Sequence, residues 1–148
     1  MRMDWLAILA MVMLSQAVAG PAQDRWPAVL EGFDAIRSQA FESGRSDLLE
    51  SVYPEGSMLL QRDKALLASY LGRGVDIQKM RMQLIDTRVT SARPRRVTMD
   101  VTDQLVEARI ALPDGTVRDL PHDRPTRRTI ALSLTPQGWR ISAVSLRR

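Results

Sequence analysis

The apolar spacing of this chain changes once, and the change separates a helical half from a β half. Up to Gly72-Arg73-Gly74 the apolar residues recur every three or four positions; beyond it they alternate. Trp26, Val29, Leu30, Phe33, Ile36 and Ala40 form one stripe, with Asp34, Arg37 and Glu42 between them. Pro27 suits a first helical turn and Gly44 a stop, so an amphipathic helix is expected over residues 25–43. Ser46 reads as the N-cap of a short helix carrying Leu48, Leu49 and Val52, which Pro54 ends. A third helix is expected from Ser57 to Leu71, with Leu59, Leu60, Leu66, Leu67, Tyr70 and Leu71 on its apolar face and Asp63 as a point where the helix restarts.

The second half reads as an antiparallel sheet whose strands slip phase. Met80, Met82 and Leu84 sit on even positions, but Ile85 and Val89 on odd ones; Val97, Met99 and Val101 are odd, whereas Val106, Ala108, Ile110 and Leu112 are even. A one-residue change of phase reverses the buried face, so each slip is read as a β-bulge. Pro113-Asp114-Gly115 turns into a short strand from Thr116 to Leu120, and a loop bounded by Pro121 and Pro125 leads to a strand with Ile130, Leu132 and Leu134 on one face. Pro136-Gln137-Gly138 turns into the last strand, with Trp139, Ile141 and Ala143 alternating before Val144 and Leu146 shift phase. The expected fold class is α+β, with N-terminal helices packed on the concave face of a strongly curved, bulged antiparallel sheet.

With 148 residues the chain has material for one domain. It has no cysteine, which excludes disulfide frameworks, thiolate nucleophiles and Cys-based zinc sites. A single histidine, His122, argues against multi-His metal sites and a Ser-His-Asp triad; no metal and no cofactor is expected. No Gly-rich phosphate loop, His-Glu zinc motif or nucleophile elbow occurs.

The first residues carry an address. Arg2 is followed by an almost wholly apolar run from Trp5 to Leu14, then by Ala17-Val18-Ala19, the three-part layout of a secretory signal cut after Ala19. The other reading is an uncleaved anchor, against which the run falls short of the roughly 20 residues that cross a bilayer. Either way residues 20–148 are expected as one exported domain.

Several runs carry a resemblance: residues 40–49, AFESGRSDLL; residues 52–57, VYPEGS; residues 63–67, DKALL; and residues 137–141, QGWRI. In this order they resemble the NTF2-like superfamily, the SnoaL-like and cystatin-like cone folds, and within it exported proteins of GC-rich actinobacteria. The resemblance implies a long helix, a short apolar helix and a third helix in the mouth of a cone made by a bent sheet, often around a pocket. Many members place a strand between the second and third helices; here only Ser51 to Tyr53 is available for it. Because the superfamily holds isomerases, dehydratases and cyclases beside non-catalytic domains, the fold does not choose an activity.

A ketosteroid-isomerase type of reaction needs a carboxylate base in an apolar pocket and a hydroxyl or protonated acid at the enolate oxygen. Asp103, continuing the inward face of Val97, Met99 and Val101, is the candidate base, and Tyr53 or Tyr70 the candidate hydroxyl. Its structural reading is an acid beside a bulge, bonded to a free N–H or paired with an arginine such as Arg109. Phe33, Met82, Met99 and Trp139 are the candidate pocket wall. His122, beside Asp123 and between two prolines, reads as a solvated loop residue.

The net charge of +4 comes from 21 Lys+Arg against 17 Asp+Glu, and only Lys64 and Lys79 are lysines. Arginine bias follows either from anionic partners or from GC-rich codons. Arg93, Arg95 and Arg96 in one turn, and Arg124, Arg127 and Arg128 around a later loop, make a candidate basic surface for anionic lipid or cell-wall polymer if they share an edge. A nucleic-acid partner is not expected, since few aromatics are present to stack bases. The expected function is an exported, non-catalytic binding or interaction module, its partner an apolar small molecule or a protein at the cell surface, with homodimerisation open. The alternatives are the pocket enzyme and the basic surface.

Overall fold

The structure is a computed structural model that describes residues 25–148. The signal or anchor expected over residues 1–19 lies outside the described residues.

Helix α1 occupies residues 25–43; of the expected stripe Trp26, Leu30, Phe33 and Ala40 are buried and Val29 and Ile36 partly so, and Phe41, not expected there, is buried with them. Gly44, at φ 70°, ends it, which lets the Arg45 N–H reach back to the Ala40 carbonyl at 3.0 Å. A 3-10 helix follows at Ser46–Ser51. Ser46 is its first residue and not its cap; Arg45 holds that position without a side-chain bond, so the turn is held by burial of Leu49.

Helix α2 spans Met58–Gly72, and the Ser57 hydroxyl accepts from the Leu60 N–H at its start. It runs unbroken through Asp63, so the restart expected there does not occur. Asp63 instead sits on the buried stripe between Leu60 and Leu67, at the three- and four-residue spacing of one helix face.

Five antiparallel strands follow: β1 Asp76–Arg93, β2 Arg96–Ala111, β3 Val117–Asp119, β4 Thr126–Thr135 and β5 Gly138–Leu146. They form one open sheet in the order β1-β2-β4-β5, with β3 beside the end of β2. Since β1 covers one edge of β2 along its length, β4 and β3 share the other edge in succession.

The phase slips are bulges. On β1, Ile77 and Lys79 pair with Ile110 and Arg109, and Leu84 and Asp86 with Asp103 and Thr102, which leaves Gln78 and Ile85 unopposed. On β2 the extra residue is Val106, between Leu105 and Glu107. On β5 it is Ser142, placing the last slip just before Ala143 and not after it. Each added residue bends its strand, and the sheet curls around α1 and α2. The core of Leu49, Leu67, Val97, Met99, Val101 and Leu132 fills the closed end of this cone. Leu134, expected on the face of Ile130 and Leu132, is 37% exposed at the end of β4.

Between the 3-10 helix and α2 no strand forms. The Ile141 N–H donates to the Val52 carbonyl at 2.8 Å, one backbone bond where a strand would have made a ladder. Among the described residues no helix is long and apolar enough to cross a membrane.

Candidate functional site

At the open end of the cone, α1, α2, the segment after the 3-10 helix and the inner faces of β1, β2, β4 and β5 enclose a cavity of about 320 Å³. Much of its wall is apolar, including Phe33, Leu59, Met80, Met82, Ile130 and Val144. Charged groups enter it from α1, α2, β2 and β4, with Asp123 of the loop before β4 and Arg62 of α2 exposed at its rim.

Arg37 lies one helical turn beyond Phe33 on α1 and meets Asp63 of α2. Its Nε donates to Oδ2 at 2.6 Å and its second terminal nitrogen to Oδ1 at 3.1 Å, a forked pair. The Tyr53 hydroxyl donates to the same Oδ2 at 2.7 Å. Burial pulls the Arg37 pKa down, and the bonds and charge of Asp63 outweigh it, so the guanidinium ends above its ordinary range. Burial first, and the Asp63 carboxylate with it, push the Tyr53 phenol above its ordinary value against the opposing pull of Arg37. The triad is a closed polar network inside the wall.

On the sheet side, Asp103 is 6% exposed and accepts from Arg128 Nε at 3.1 Å. Arg128 stands opposite Val101 on β4, and its side chain takes the concave side, whereas Arg127 stands opposite Thr102 and is exposed. Asp34, three residues before Arg37, also lines the cavity. Its pKa is raised from 3.8 to about 6, through burial and then the negative charge of Asp103, with Arg37 and Arg128 opposing. Neither a hydrogen bond nor an ion pair to a described residue contributes to that shift. Asp34 is thus the inner carboxyl left uncommitted.

The expected site residues separate. Tyr53, Asp103, Phe33 and Met82 come together on the cavity. Tyr70 does not: it is half-buried near the end of α2, under the Arg73 guanidinium at 5.2 Å. Met99 is fully buried at the closed end, too deep to reach the cavity. Trp139 packs edge-on against Trp26, ring centroids 4.8 Å apart, outside the wall. Arg109 pairs with Asp119 at 2.7 Å, so the arginine on Asp103 is Arg128.

The six-arginine surface does not assemble. Arg96 and Asp103 of β2 stand opposite Ser133 and Thr126 of β4, so the Arg93–Arg96 turn and the Arg124–Arg127 segment lie at opposite ends of the strand pair, about 23 Å apart. Arg128 turns to the concave side and is half-buried against Asp103. Arg93, Arg95, Arg96, Arg124 and Arg127 are exposed. His122 is exposed in the loop before β4; its neighbour Asp123 is the one that reaches the cavity rim. Among the described residues no group of three or more His, Cys, Asp or Glu side chains is placed to hold a metal ion.

Sequence reasoning missed Arg37, Asp63 and Asp34. For Asp63 a signal existed, an acid on the apolar stripe of α2 between Leu60 and Leu67. For Asp34 none existed, because it lies on the polar side of the α1 stripe. A second, shallower groove of about 440 Å³ runs between α1 and β1 and shares Asp34, Met80 and Met82 with the cavity. Its other walls are mostly exposed residues such as Glu31, Arg81 and Gln83, so the buried charge belongs to the cavity.

No protein-family model matches the chain, and no curated protein matches it in sequence. Solved structures do share its fold. The intermembrane-space region of the chloroplast protein ARC6 superposes with a TM-score of 0.62 at 16% identity, over 84% of this chain and 95% of that one. A candidate dehydratase of the NTF2-like family from Streptomyces avermitilis superposes with a TM-score of 0.51 at 15% identity, over 81% of this chain and 94% of that one. Together with three helical segments before an open, bulged antiparallel sheet, this likeness defines the chain as an α+β protein of the NTF2-like cone fold.

Proposed function

We propose that this protein is an exported small-molecule-binding module, with the open end of the cone as its ligand site. The observation that carries the reading is the cavity itself: an apolar wall, two inner ion pairs, Arg37–Asp63 and Arg128–Asp103, and one inner carboxyl, Asp34, that belongs to neither, with Arg62 and Asp123 exposed at the rim. Its size lies at the lower end of small-molecule pockets, roughly 300–1,000 Å³. The arrangement of Arg2, the apolar run to Leu14 and Ala17-Val18-Ala19 supports export. That a structure of the same fold is an intermembrane-space region agrees with a cone working outside a cytoplasm.

Thermal melting of the chain with a panel of small apolar compounds tests this. A saturable rise in melting temperature is expected for one class of compound, and Met82→Trp, which fills the wall, is expected to remove it while melting stays cooperative. A flat response across the panel sinks the reading.

A second reading, catalysis, rests on Asp34 alone. A carboxyl held near 6 beside an apolar wall is suited to take and return a proton near neutral pH. Asp103 suits that role less well, since Arg128 already occupies its carboxylate.

A further inference from the structure

The charges around the cavity do not balance, and the imbalance has a location. Asp63 is fully engaged by the forked Arg37 and the Tyr53 hydroxyl. Asp103 is engaged by Arg128. Asp34 remains, and the two guanidinia that act on it, Arg37 and Arg128, are already held by Asp63 and Asp103, while Arg62 stands exposed at the rim. From its own helix it faces Glu31 and Arg37, from α2 Arg62 and Asp63, from β2 Asp103, from β4 Arg128 and from the loop before β4 Asp123, while β1 brings Met80 and Met82 to the cavity and Arg81, paired with Glu107, to the outer groove. A half-buried carboxylate without a partner is costly, and either a proton or a ligand cation relieves it.

Resting on the binding role assigned above, we propose that the cavity selects an apolar molecule bearing an amine, its ammonium group pairing with Asp34 and its apolar body lying on Met80, Met82 and Val144. An anionic ligand would leave the ionised Asp34 without a partner and add a like charge beside it. A neutral hydroxyl supplies a hydrogen bond but leaves the charge unpaired. The ammonium group supplies both, and with its low-dielectric surroundings the pairing is stronger than at the surface. Because Asp34 titrates near 6, the amine must displace its proton in acid, and affinity rises with pH until the carboxyl is ionised.

Calorimetric titration of the full chain with 2-phenylethylamine and with its neutral isostere 2-phenylethanol, at pH 5 and pH 7.5, tests this. The amine stays protonated at both. It is expected to bind roughly tenfold more tightly at pH 7.5, while the alcohol changes less than twofold. Asp34→Asn is expected to erase the amine's advantage and its pH dependence and to keep binding of the alcohol. Equal affinities for amine and alcohol at pH 7.5, or an unchanged amine profile in Asp34→Asn, overturn the amine preference and leave the binding module standing. Absence of binding by either probe at millimolar concentration overturns the amine proposal, and a flat melting response across the apolar panel as well overturns the binding module.

Discussion

The concave face of β2 passes through two environments within a few residues. Val97, Met99 and Val101 lie in a dry core with Leu49, Leu67 and Leu132, whereas Asp103, next on the same face, meets a cavity with Arg128, Asp34 and the Arg37–Asp63–Tyr53 network around it. At the closed end, stability comes from burying apolar area, worth about 1.5–3 kcal/mol for a fully buried side chain of this size. At the open end burial is a cost that ion pairs offset, and replacing such pairs by apolar groups is often neutral or stabilising. A cone can therefore carry its fold at one end and keep a charged site at the other, since the second contributes little net to the first.

The largest expected effect separates the two ends directly. Met99→Ala should lower unfolding free energy by about 3 kcal/mol, read by urea denaturation, because it leaves a cavity in the packed end. Replacing the network as a whole, with Arg37→Met, Asp63→Leu and Tyr53→Phe together, should cost less than Met99→Ala although it removes three polar groups. A triple variant less stable than Met99→Ala would show that the charged end holds the fold after all.

Next in size is a contrast between neighbours. Arg128→Ala should cost about 2 kcal/mol, because the buried Asp103 is left without its partner. Arg127→Ala, one residue away on the solvent side, should change stability by less than about 0.5 kcal/mol in the same measurement.

The smallest effect depends on pH. Folding raises Asp34 from 3.8 to about 6, so the native state holds this proton more tightly than the unfolded chain. Stability should fall as pH rises from about 4 to about 6 and stay lower above that. Asp34→Asn should therefore gain between about 1 and 2 kcal/mol at pH 7.5, a range reduced for the half-buried position, and lose most of that gain at pH 4. Melting curves at the two pH values give the sign, and an equal gain at both would remove the ionised carboxyl as its cause.

What the sequence determined by itself is local. The stripe of Trp26, Leu30, Phe33 and Ala40, the stop at Gly44 and the slip at Ile85 each follow from the stereochemistry of a few neighbouring residues, and each stands where the spacing placed it. The inward aim of Asp103 follows in the same way from the period of a strand. The same period carries Arg128 to the concave side and Arg127 to the convex one, but grouping arginines by nearness in sequence hides it. Only the tertiary structure decided which charges meet. Arg37 and Asp63 are 26 positions apart, and Asp103 and Arg128 are 25 apart; their bonds exist because α1 and α2 close over the cone and β4 pairs with β2 in one register. Asp34 shows the physical reason most plainly. In the sequence it is an acid on the polar side of a helix, and what raises its pKa is the sheet and the second carboxylate that folding brings against it.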